Sequence, residues 1–392
     1  MTFDEARECV LREVPPKRGE RETVPVLSAA GRILAEDIAA DRDYPPFDRS
    51  ARDGFAVRAA DVPGELFIIG EVRAGEVFTG RMSANGAVEI MTGAPLPQGA
   101  DAVVMVEHVE RRQNKVIIPR PVKPGENFTP KGTEAKPGEI LLHAGHRIGF
   151  AETAVLAMVG RERVRVFRQP LVAILPTGEE IVEAGENPLP HQIRNSNAWS
   201  LAVQVTRAGG LPEILPIARD SYESMRASIQ KGLPSDLLLL SGGVSAGKYD
   251  IVEQVLAELG AKFFFTRVLI QPGQPLVFGV IGEKFFFGLP GNPASTMVTF
   301  ELFARAAVER LAGCQDALLP LLRARLTRDF SHKLGLTRFL PAHLSEDGST
   351  VEPTGWQGSG DIPSLARANA FLVAEADRES WKAGDDIRVL LQ

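Results

Sequence analysis

A glycine-rich loop follows an apolar run in residues 236–250 (DLLLLSGGVSAGKYD), and its composition is that of an anion-binding turn. The run that ends at Leu240 predicts a buried strand, and a helix is expected to begin near Asp250. Glycines let a ligand approach the backbone N–H groups, and the positive end of the helix attracts negative charge. The loop lacks the ending of a Walker motif, and an ordinary strand-to-helix turn is the alternative. The loop residues of interest are Ser241, Gly242, Gly243 and Ser245.

A second loop of this kind occurs in residues 284–303 (KFFFGLPGNPASTMVTFELF). Pro290, Gly291 and Asn292 separate a predicted strand from a predicted helix, and Asn292 is expected to occupy the N-cap. Helix capping alone would also explain these residues. In an open parallel sheet, however, such loops emerge together at the carboxyl ends of the strands, where ligands bind. We therefore expect the two loops to face one crevice.

Acidic residues follow other predicted strand ends. Glu180 stands beside Thr177 and Gly178 after one strand, Asp220 follows another, and Asp250 closes the first loop. Crowded carboxylates repel one another, so a divalent cation is their natural partner, and oxygen ligands near a phosphorylated substrate favour Mg²⁺. Taken singly, each acid is equally consistent with a solvated surface group.

The elements that must position these residues alternate apolar strands with amphipathic helices over residues 168–315. This pattern predicts a mostly parallel sheet covered on both faces. Residues 41–139 predict a β-rich module and residues 316–392 a small C-terminal β-barrel. Residues 1–40 are predicted to be helical and to form a helical or linker domain with residues 140–167. The chain is thus expected to be an elongated α/β multidomain protein. One predicted strand, Ile214–Ile217, precedes Asp220.

Composition limits the classes of function. The chain has 392 residues, 44% of them hydrophobic, and a net charge of −6, which argues against nucleic-acid binding. Two cysteines, Cys9 and Cys314, support neither a disulfide framework nor a thiolate metal site. The first residues lack the apolar core of a signal peptide, and no apolar run reaches the length of a membrane span. We expect a cytoplasmic protein that does not bind membranes.

Seven short motifs occur in a fixed order along the chain. They are SARDGFAV (50–57), MTGAPLPQGADAVVMVE (91–107), PTGEE (176–180), IRNSN (193–197), SGGVS (241–245), GLPGNP (288–293) and WQGSG (356–360). Together they resemble the molybdopterin molybdenumtransferases, a family that includes the E domain of gephyrin. The resemblance extends from about residue 3 to residue 391, and the ordered set is far more specific than any one motif.

The resemblance implies a homodimer with a molybdopterin-binding α/β domain similar to that of the molybdopterin adenylyltransferases. Such enzymes take adenylylated molybdopterin and molybdate, cleave the pyrophosphate link with Mg²⁺, and release AMP and molybdenum cofactor. Molybdate is therefore a substrate that supplies the metal. The resemblance also implies transient contact with a molybdopterin adenylyltransferase and with acceptor molybdoenzymes.

The candidate site residues fall into three sets. The catalytic and metal-binding positions are Asp53, Glu180, Asp220 and Asp250, with Glu134 as a further catalytic position. The substrate and phosphate positions are Thr92, Thr177, Gly178, Ser241, Gly242, Gly243, Ser245, Pro290, Gly291 and Asn292. The oxyanion positions are Ser295, Ser359, Gln274 and Arg338. In the dimer, Asp53 and Thr92 are expected to face the α/β domain of the partner subunit.

The chain departs from the family at three cations. Gln271 and Gln274 stand where lysines are usual, and Pro341 stands where an arginine is usual. A glutamine side chain donates hydrogen bonds but carries no charge. A proline side chain neither donates hydrogen bonds nor carries a charge. We expect Arg338 to substitute for the missing charge, with Arg367 as a second candidate.

Two other functions fit the same pattern. A protein that only carries molybdopterin or its adenylate would not need the missing cations, but it would not need the acidic residues either. A molybdopterin adenylyltransferase would share the SGGVS-type turn, but it would not need the β-rich module and the C-terminal barrel.

Overall fold

The computed structural model describes residues 1–16, 19–243, 251–317 and 319–392. Within these ranges the chain forms eight α-helices, and a π-helical segment, Phe300–Ala304, joins the sixth to the seventh. The helices are α1 (Phe3–Glu13), α2 (Phe150–Met158), α3 (Asn197–Arg207), α4 (Tyr222–Gly232), α5 (Ile251–Glu258), α6 (Pro293–Thr299), α7 (Arg305–Leu311) and α8 (Ile362–Arg367).

The described strands are short and numerous. In the first part of the chain they are β1 (Arg21–Pro25), β2 (Ile38–Ala39), β3 (Arg49–Ser50), β4 (Gly54–Val57), β5 (Gly64–Val72), β6 (Gly86–Ile90), β7 (Ala102–Met105), β8 (Glu110–Arg112), β9 (Lys115–Ile118), β10 (Phe128–Thr129), β11 (Ile140–Leu142) and β12 (Arg163–Phe167). The next are β13 (Leu171–Pro176), β14 (Ile181–Val182), β15 (Ile193–Arg194), β16 (Leu211–Ile214), β17 (Leu237–Ser241), β18 (Lys262–Arg267), β19 (Ile270–Gln271), β20 (Pro275–Ile281) and β21 (Lys284–Leu289). The last are β22 (Leu321–Leu326), β23 (Phe330–Ser331), β24 (Thr337–Leu344), β25 (Thr350–Pro353), β26 (Ala370–Ala374), β27 (Ser380–Trp381) and β28 (Asp386–Leu391).

The chain divides into two compact units. The first unit comprises Met1–Ala35, Gly145–Gly149 and Arg163–Gln392, and the second comprises Glu36–Ala144 and Phe150–Glu162. The division of the sequence into four domains stays a prediction.

A six-stranded sheet forms the centre of the first unit, in the order β16-β13-β17-β21-β20-β18. The first four strands are parallel, and β20 and β18 are antiparallel to their neighbours. Alternate residues of β17 face opposite sides: Leu237 and Leu239 pack with α3 and α6, whereas Leu238 and Leu240 pack with α4 and α5. Both faces are therefore covered, which is why the strands are apolar throughout.

Five strands close into a barrel near the C-terminus, in the order β24-β25-β22-β28-β26, with β26 pairing back to β24. Its interior contains alternate residues of these strands together with Trp381. Strand β19 joins the barrel's sheet by pairing with β24. Because β19 lies in the chain between two strands of the central sheet, this pairing places the 270–274 loop beside the barrel.

The second unit contains its own six-stranded sheet, in the order β7-β4-β6-β5-β9-β8. Apolar side chains pack on both of its faces. Phe55 and Val57 belong to one cluster, and Ala56 between them belongs to the other. These observations agree with the expected β-rich module.

Two local predictions were wrong. Residues 1–40 were expected to be helical, but α1 ends at Glu13, ahead of Pro15 and Pro16, and β1 then pairs with β12. Proline removes a backbone donor and breaks a helix interior, which explains the end of α1. The strand expected at Ile214–Ile217 is instead Leu211–Ile214. It ends two residues before Pro216, which has no N–H to donate to a neighbouring strand.

Within the described ranges, every helix is too short or too polar to cross a membrane.

We predict that Leu239→Ala destabilises the first unit, because Leu239 is fully buried in the central strand of the sheet. The loss of packing and the remaining cavity should lower the free energy of unfolding by about 2–5 kcal/mol. Urea denaturation followed by circular dichroism measures this change. Leu322→Ala is the control, since Leu322 is 43% exposed, and a change of more than about 1 kcal/mol there would contradict the packing argument.

Candidate active site

A pocket of about 420 Å³ opens at the carboxyl ends of β13, β17 and β21, and we call it the acidic pocket. Three strand-to-loop junctions form much of its wall, because parallel strands end at the same edge of the sheet. The sequence-predicted residues in this wall are Thr177, Gly178, Glu180, Asp220, Ser241, Gly242, Gly243, Pro290, Gly291 and Asn292.

The two glycine-rich turns approach each other closely in this pocket. The Gly242 N–H donates to the Leu289 carbonyl at 3.1 Å. Gly242 has a φ of +101°, and a Cβ there would lie 2.8 Å from the Thr177 carbonyl oxygen. A Cβ on Gly291 would lie 3.6 Å from the Gly242 Cα. Only glycine fits the first position, and the close packing leaves the backbone of both turns available to a ligand.

Asn197 ties these turns to α3. Its Nδ2 donates to the Gly291 carbonyl at 2.8 Å and to the Ser241 hydroxyl at 3.0 Å, and lies 3.2 Å from the Thr296 hydroxyl. Sequence reasoning did not select Asn197 as a site residue. Its signal was its place at the end of the IRNSN motif, but the contacts join residues far apart in the chain, and only the fold reveals them.

The acidic pocket contains two of the predicted carboxylates, Glu180 and Asp220. Burial raises the pKa of Asp220, and the nearby negative charges of Glu180 and Glu179 raise it further. The Asp220 N–H donates to Glu179 Oε1 at 3.0 Å. Within the described part of the chain, no group of three His, Cys, Asp or Glu side chains could hold a metal ion. Asp250 and Ser245, which were predicted to belong to the site, lie outside the described residues.

A second pocket of about 710 Å³ lies between the 270–274 loop and the barrel, and we call it the barrel-side pocket. It shares Pro275, Pro290 and Asn292 with the acidic pocket, so the two cavities adjoin. The predicted oxyanion residues that line it are Gln274, Ser295, Arg338 and Ser359. The Ser359 carbonyl also accepts the Ala294 N–H at 2.9 Å, which fixes the WQGSG loop to the start of α6.

Arg338 stands directly beside Gln271, because these two residues pair across β19 and β24. The Nε atom of Arg338 is shielded from solvent and has no hydrogen-bond partner, and the same is true of the Trp356 Nε1 in the wall of this pocket. An unpaired buried donor costs about 1–3 kcal/mol. Both side chains can therefore gain hydrogen bonds from an anion, after a small movement that exposes these atoms to it.

The remaining predicted residues lie in the second unit. Asp53 and Thr92 are in contact: Asp53 Oδ1 accepts the Thr92 N–H at 2.6 Å and the Thr92 hydroxyl at 2.8 Å. These two bonds lower the pKa of Asp53, so it stays ionised. Glu134 Oε1 pairs with Arg49 at 2.7 Å. The contribution of these residues to the active site stays a prediction.

Three family models match almost the whole chain. They are the MoeA N-terminal region (domain I and II) over residues 1–160, a probable molybdopterin binding domain over residues 173–310, and the MoeA C-terminal region (domain IV) over residues 323–392. The chain belongs to the MoeA family.

Individual relatives agree with this assignment. The molybdopterin molybdenumtransferase of Bacillus subtilis is 35% identical over 389 residues, covering 96% of this chain and 90% of that one. The enzyme of the same name from Staphylococcus epidermidis is 36% identical over 371 residues, covering 92% and 88%. Among solved structures, the molybdopterin biosynthesis MoeA protein of Pyrococcus horikoshii is 31% identical and superposes with a TM-score of 0.84 over the full length of both chains.

Membership of the MoeA family confirms the predicted family and the predicted α/β multidomain fold. The individual site residues are a separate matter, because a shared fold does not assign a role to a side chain. Their roles are therefore argued from the two pockets.

We predict that Gly242→Ala abolishes binding of Mg²⁺-pyrophosphate to this MoeA-family protein. An alanine Cβ would collide with the Thr177 carbonyl oxygen and displace the turn that contains Gly242. Gly260→Ala is the matched control, since Gly260 also has a positive φ of +84°, but a Cβ added there would meet nothing within 4 Å. Both variants carry backbone strain of about 1–2 kcal/mol. Isothermal titration calorimetry measures the affinity of each variant for Mg²⁺-pyrophosphate. Equal affinity in the two variants would contradict the argument that Gly242 has no room for a Cβ.

Proposed function

We propose that this protein takes adenylylated molybdopterin and molybdate, cleaves the pyrophosphate link, and releases AMP and molybdenum cofactor. The observation that carries the proposal is the adjacency of two unlike pockets, one with two carboxylates and two glycine-rich turns, the other with Arg338. Membership of the MoeA family makes the protein a transferase of molybdenum cofactor biosynthesis, as predicted.

The acidic pocket suits a pyrophosphate. In its cleavage a water oxygen bonds to one phosphorus, and the bond from that phosphorus to the bridging oxygen breaks. The bridging oxygen keeps the electron pair and remains on the other phosphate, while the protons of water pass to phosphate oxygens or solvent. Nothing is oxidised or reduced. Backbone N–H groups at Gly243 and Gly291, which line the pocket, would hold phosphate oxygens in fixed positions, which lowers the barrier without reorganisation.

Magnesium fits the donors of this pocket. Glu180 and Asp220 supply carboxylate oxygens, and Mg²⁺ in such sites is commonly held by one or two carboxylates together with substrate phosphates. The raised pKa of Asp220 reflects repulsion and burial that a cation would relieve. When bound, the ion would neutralise charge on the phosphates. Asp250 belongs to the proposed ligand set by its match to the family motif.

The barrel-side pocket suits molybdate, a tetrahedral dianion. The Ser295 and Ser359 hydroxyls and the Gln274 amide offer neutral donors, and Arg338 offers a charge. The shared wall of Pro290 and Asn292 would keep the metal close to the phosphorylated end of the pterin. Because Gln271 and Gln274 replace lysines, Arg338 carries more of the electrostatic attraction than in other family members.

The remaining parts of the proposal rest on the family resemblance. We propose that the protein acts as a homodimer in the cytoplasm, with Asp53 and Thr92 facing the partner's α/β domain and with Glu134 as a further catalytic residue. It would receive its substrate in transient contact with a molybdopterin adenylyltransferase and deliver its product to acceptor molybdoenzymes.

One experiment separates the enzyme from a carrier and from an adenylyltransferase. Purified protein is mixed with adenylylated molybdopterin, and AMP is measured with and without Mg²⁺ and molybdate. AMP release that requires both is expected. Tight binding of the substrate without AMP release would establish a carrier, and formation of the adenylate from ATP and molybdopterin would establish an adenylyltransferase.

We predict that Arg338→Ala raises the molybdate concentration needed for half-maximal AMP release by roughly ten- to hundredfold, the effect of losing one charge-assisted hydrogen bond of about 1.5–3 kcal/mol. Arg367→Ala is the control, because Arg367 was the second candidate by sequence but does not line the pocket. If the two variants respond alike to molybdate, Arg338 has no part in oxyanion binding.

We predict that affinity for Mn²⁺, used with pyrophosphate as a probe for Mg²⁺, falls as the pH is lowered through the raised pKa of Asp220. The cation binds the ionised carboxylate, so protons compete with it, and the raised pKa shifts this competition to a higher pH than for an ordinary aspartate. Proton relaxation of Mn²⁺-bound water measures the affinity. Asp220→Asn should bind more weakly and lose this pH dependence, and an unchanged profile in that variant would exclude Asp220 as a ligand.

A further inference from the structure

Arg194 lies in the wall of the acidic pocket, and the proposed function has so far given it no role. It is the one basic residue among the described residues of that wall. It follows Ile193 in β15. This strand pairs in parallel with β14, which begins directly after Glu180. The Ile193 N–H donates to the Glu180 carbonyl at 2.9 Å, so the backbone at Arg194 is held in a fixed position relative to the acidic residue.

In the part of the chain that the structure describes, the guanidinium of Arg194 is held by a single hydrogen bond, from its Nε atom. Its Nε donates to the Glu186 carbonyl at 2.9 Å. Its two terminal nitrogens form no ion pair with any carboxylate in the described parts of the chain, although Glu180 and Asp220 line the same pocket. The side chain is thus anchored while its terminal donors stay free. A nearby arginine, Arg219, differs, because its Nη1 is directed to the backbone carbonyls of Glu179 and Ile181.

An anchored guanidinium with free donors matches a phosphate group. Arginine offers two parallel N–H groups that fit two phosphate oxygens, and it stays charged at all relevant pH values. Cleavage of a pyrophosphate increases the negative charge on the departing phosphate. A positioned arginine that stabilises this charge is a recurring element of phosphoryl transfer. The described residues of the two glycine-rich turns in this wall supply neutral donors only.

We propose that Arg194 is a catalytic residue that binds one phosphate of the pyrophosphate through its terminal nitrogens and stabilises the charge that develops when the bridging bond breaks. This inference rests on the proposed function and assigns a second source of positive charge to the pocket besides the divalent cation. The recognised group is the phosphate of the adenylate, which the substrate and AMP share, and not the adenine or the ribose.

The test compares Arg194→Ala and Arg194→Lys with Arg207→Ala, a control at the end of α3 that does not line the pocket. Calorimetry measures the affinity of each variant for AMP and for adenosine. Because only AMP carries the phosphate, the comparison distinguishes a contact to the phosphate from a contact to the nucleoside. Arg194→Ala should weaken AMP binding about tenfold and leave adenosine binding unchanged. Arg194→Lys should restore part of the AMP affinity, since lysine keeps the charge but loses the paired donors.

Turnover gives an independent readout at saturating molybdate and Mg²⁺. Arg194→Ala should lower kcat for AMP release at least tenfold with a smaller change in KM, and added guanidinium ion should restore part of the rate. Arg207→Ala should resemble the wild type in every assay. Equal losses for AMP and adenosine, or an unchanged kcat in Arg194→Ala, would overturn the proposal.

The outcome also distinguishes this inference from the proposed function. If the wild type binds AMP but does not release AMP from the adenylylated substrate, the proposed transferase function is wrong. The comparison of AMP with adenosine would still show whether Arg194 contacts the phosphate. If the wild type releases AMP and Arg194→Ala does so equally well, the function stands and the role of Arg194 fails.

Discussion

The contact between two strand-to-helix turns is the constraint on which the active site depends. The Gly242 N–H donates to the Leu289 carbonyl, and the Asn197 amide hydrogen-bonds to the Ser241 hydroxyl and the Gly291 carbonyl. A Cβ at Gly242 would lie 2.8 Å from the Thr177 carbonyl oxygen, so the first turn has no room for a side chain there. Because these turns end neighbouring parallel strands, their approach follows from the sheet itself. A pocket for phosphate oxygens is therefore built from backbone that is already rigid before a ligand arrives, which is the condition for effective electrostatic stabilisation.

The two pockets divide the charge of the site between them. The acidic pocket contains Asp220, whose pKa is raised first by burial and then by the negative charges of Glu180 and Glu179, and the pocket is suited to a cation and a phosphate together. The barrel-side pocket contains Arg338 and neutral donors, and it is suited to an anion alone. A shared wall keeps the two environments adjacent but distinct. Under the proposed function, this separation would let a metal oxyanion and a metal cation occupy one active site without pairing directly with each other.

Two of the three departures from the family, Gln271 and Gln274, line the pocket that would hold the oxyanion, whereas Pro341 does not line it. Gln271 and Gln274 are neutral, yet the pairing of β19 with β24 places Arg338 next to Gln271. Under the proposed function, Arg338 would offset the charge that Gln271 lacks, because side chains at paired positions of neighbouring strands lie side by side. The unpaired donors of Arg338 and Trp356 indicate that this pocket is not internally satisfied.

The ordered motifs were sufficient to recognise the resemblance to the family. Local patterns were sufficient for the α/β class and the two glycine-rich turns, because apolar runs, glycines and prolines act over a few residues. They also indicated the carboxylates at the strand ends, and the fold brings Glu180 and Asp220 into one pocket. They failed for residues 14–40, where β1 pairs with β12, more than a hundred residues away in the chain. The folded chain was needed to reveal the three-way contact of Asn197, the place of Arg338 beside Gln271, and the free guanidinium of Arg194 in the acidic pocket. Each of these depends on contacts between residues distant in sequence, which no local periodicity encodes.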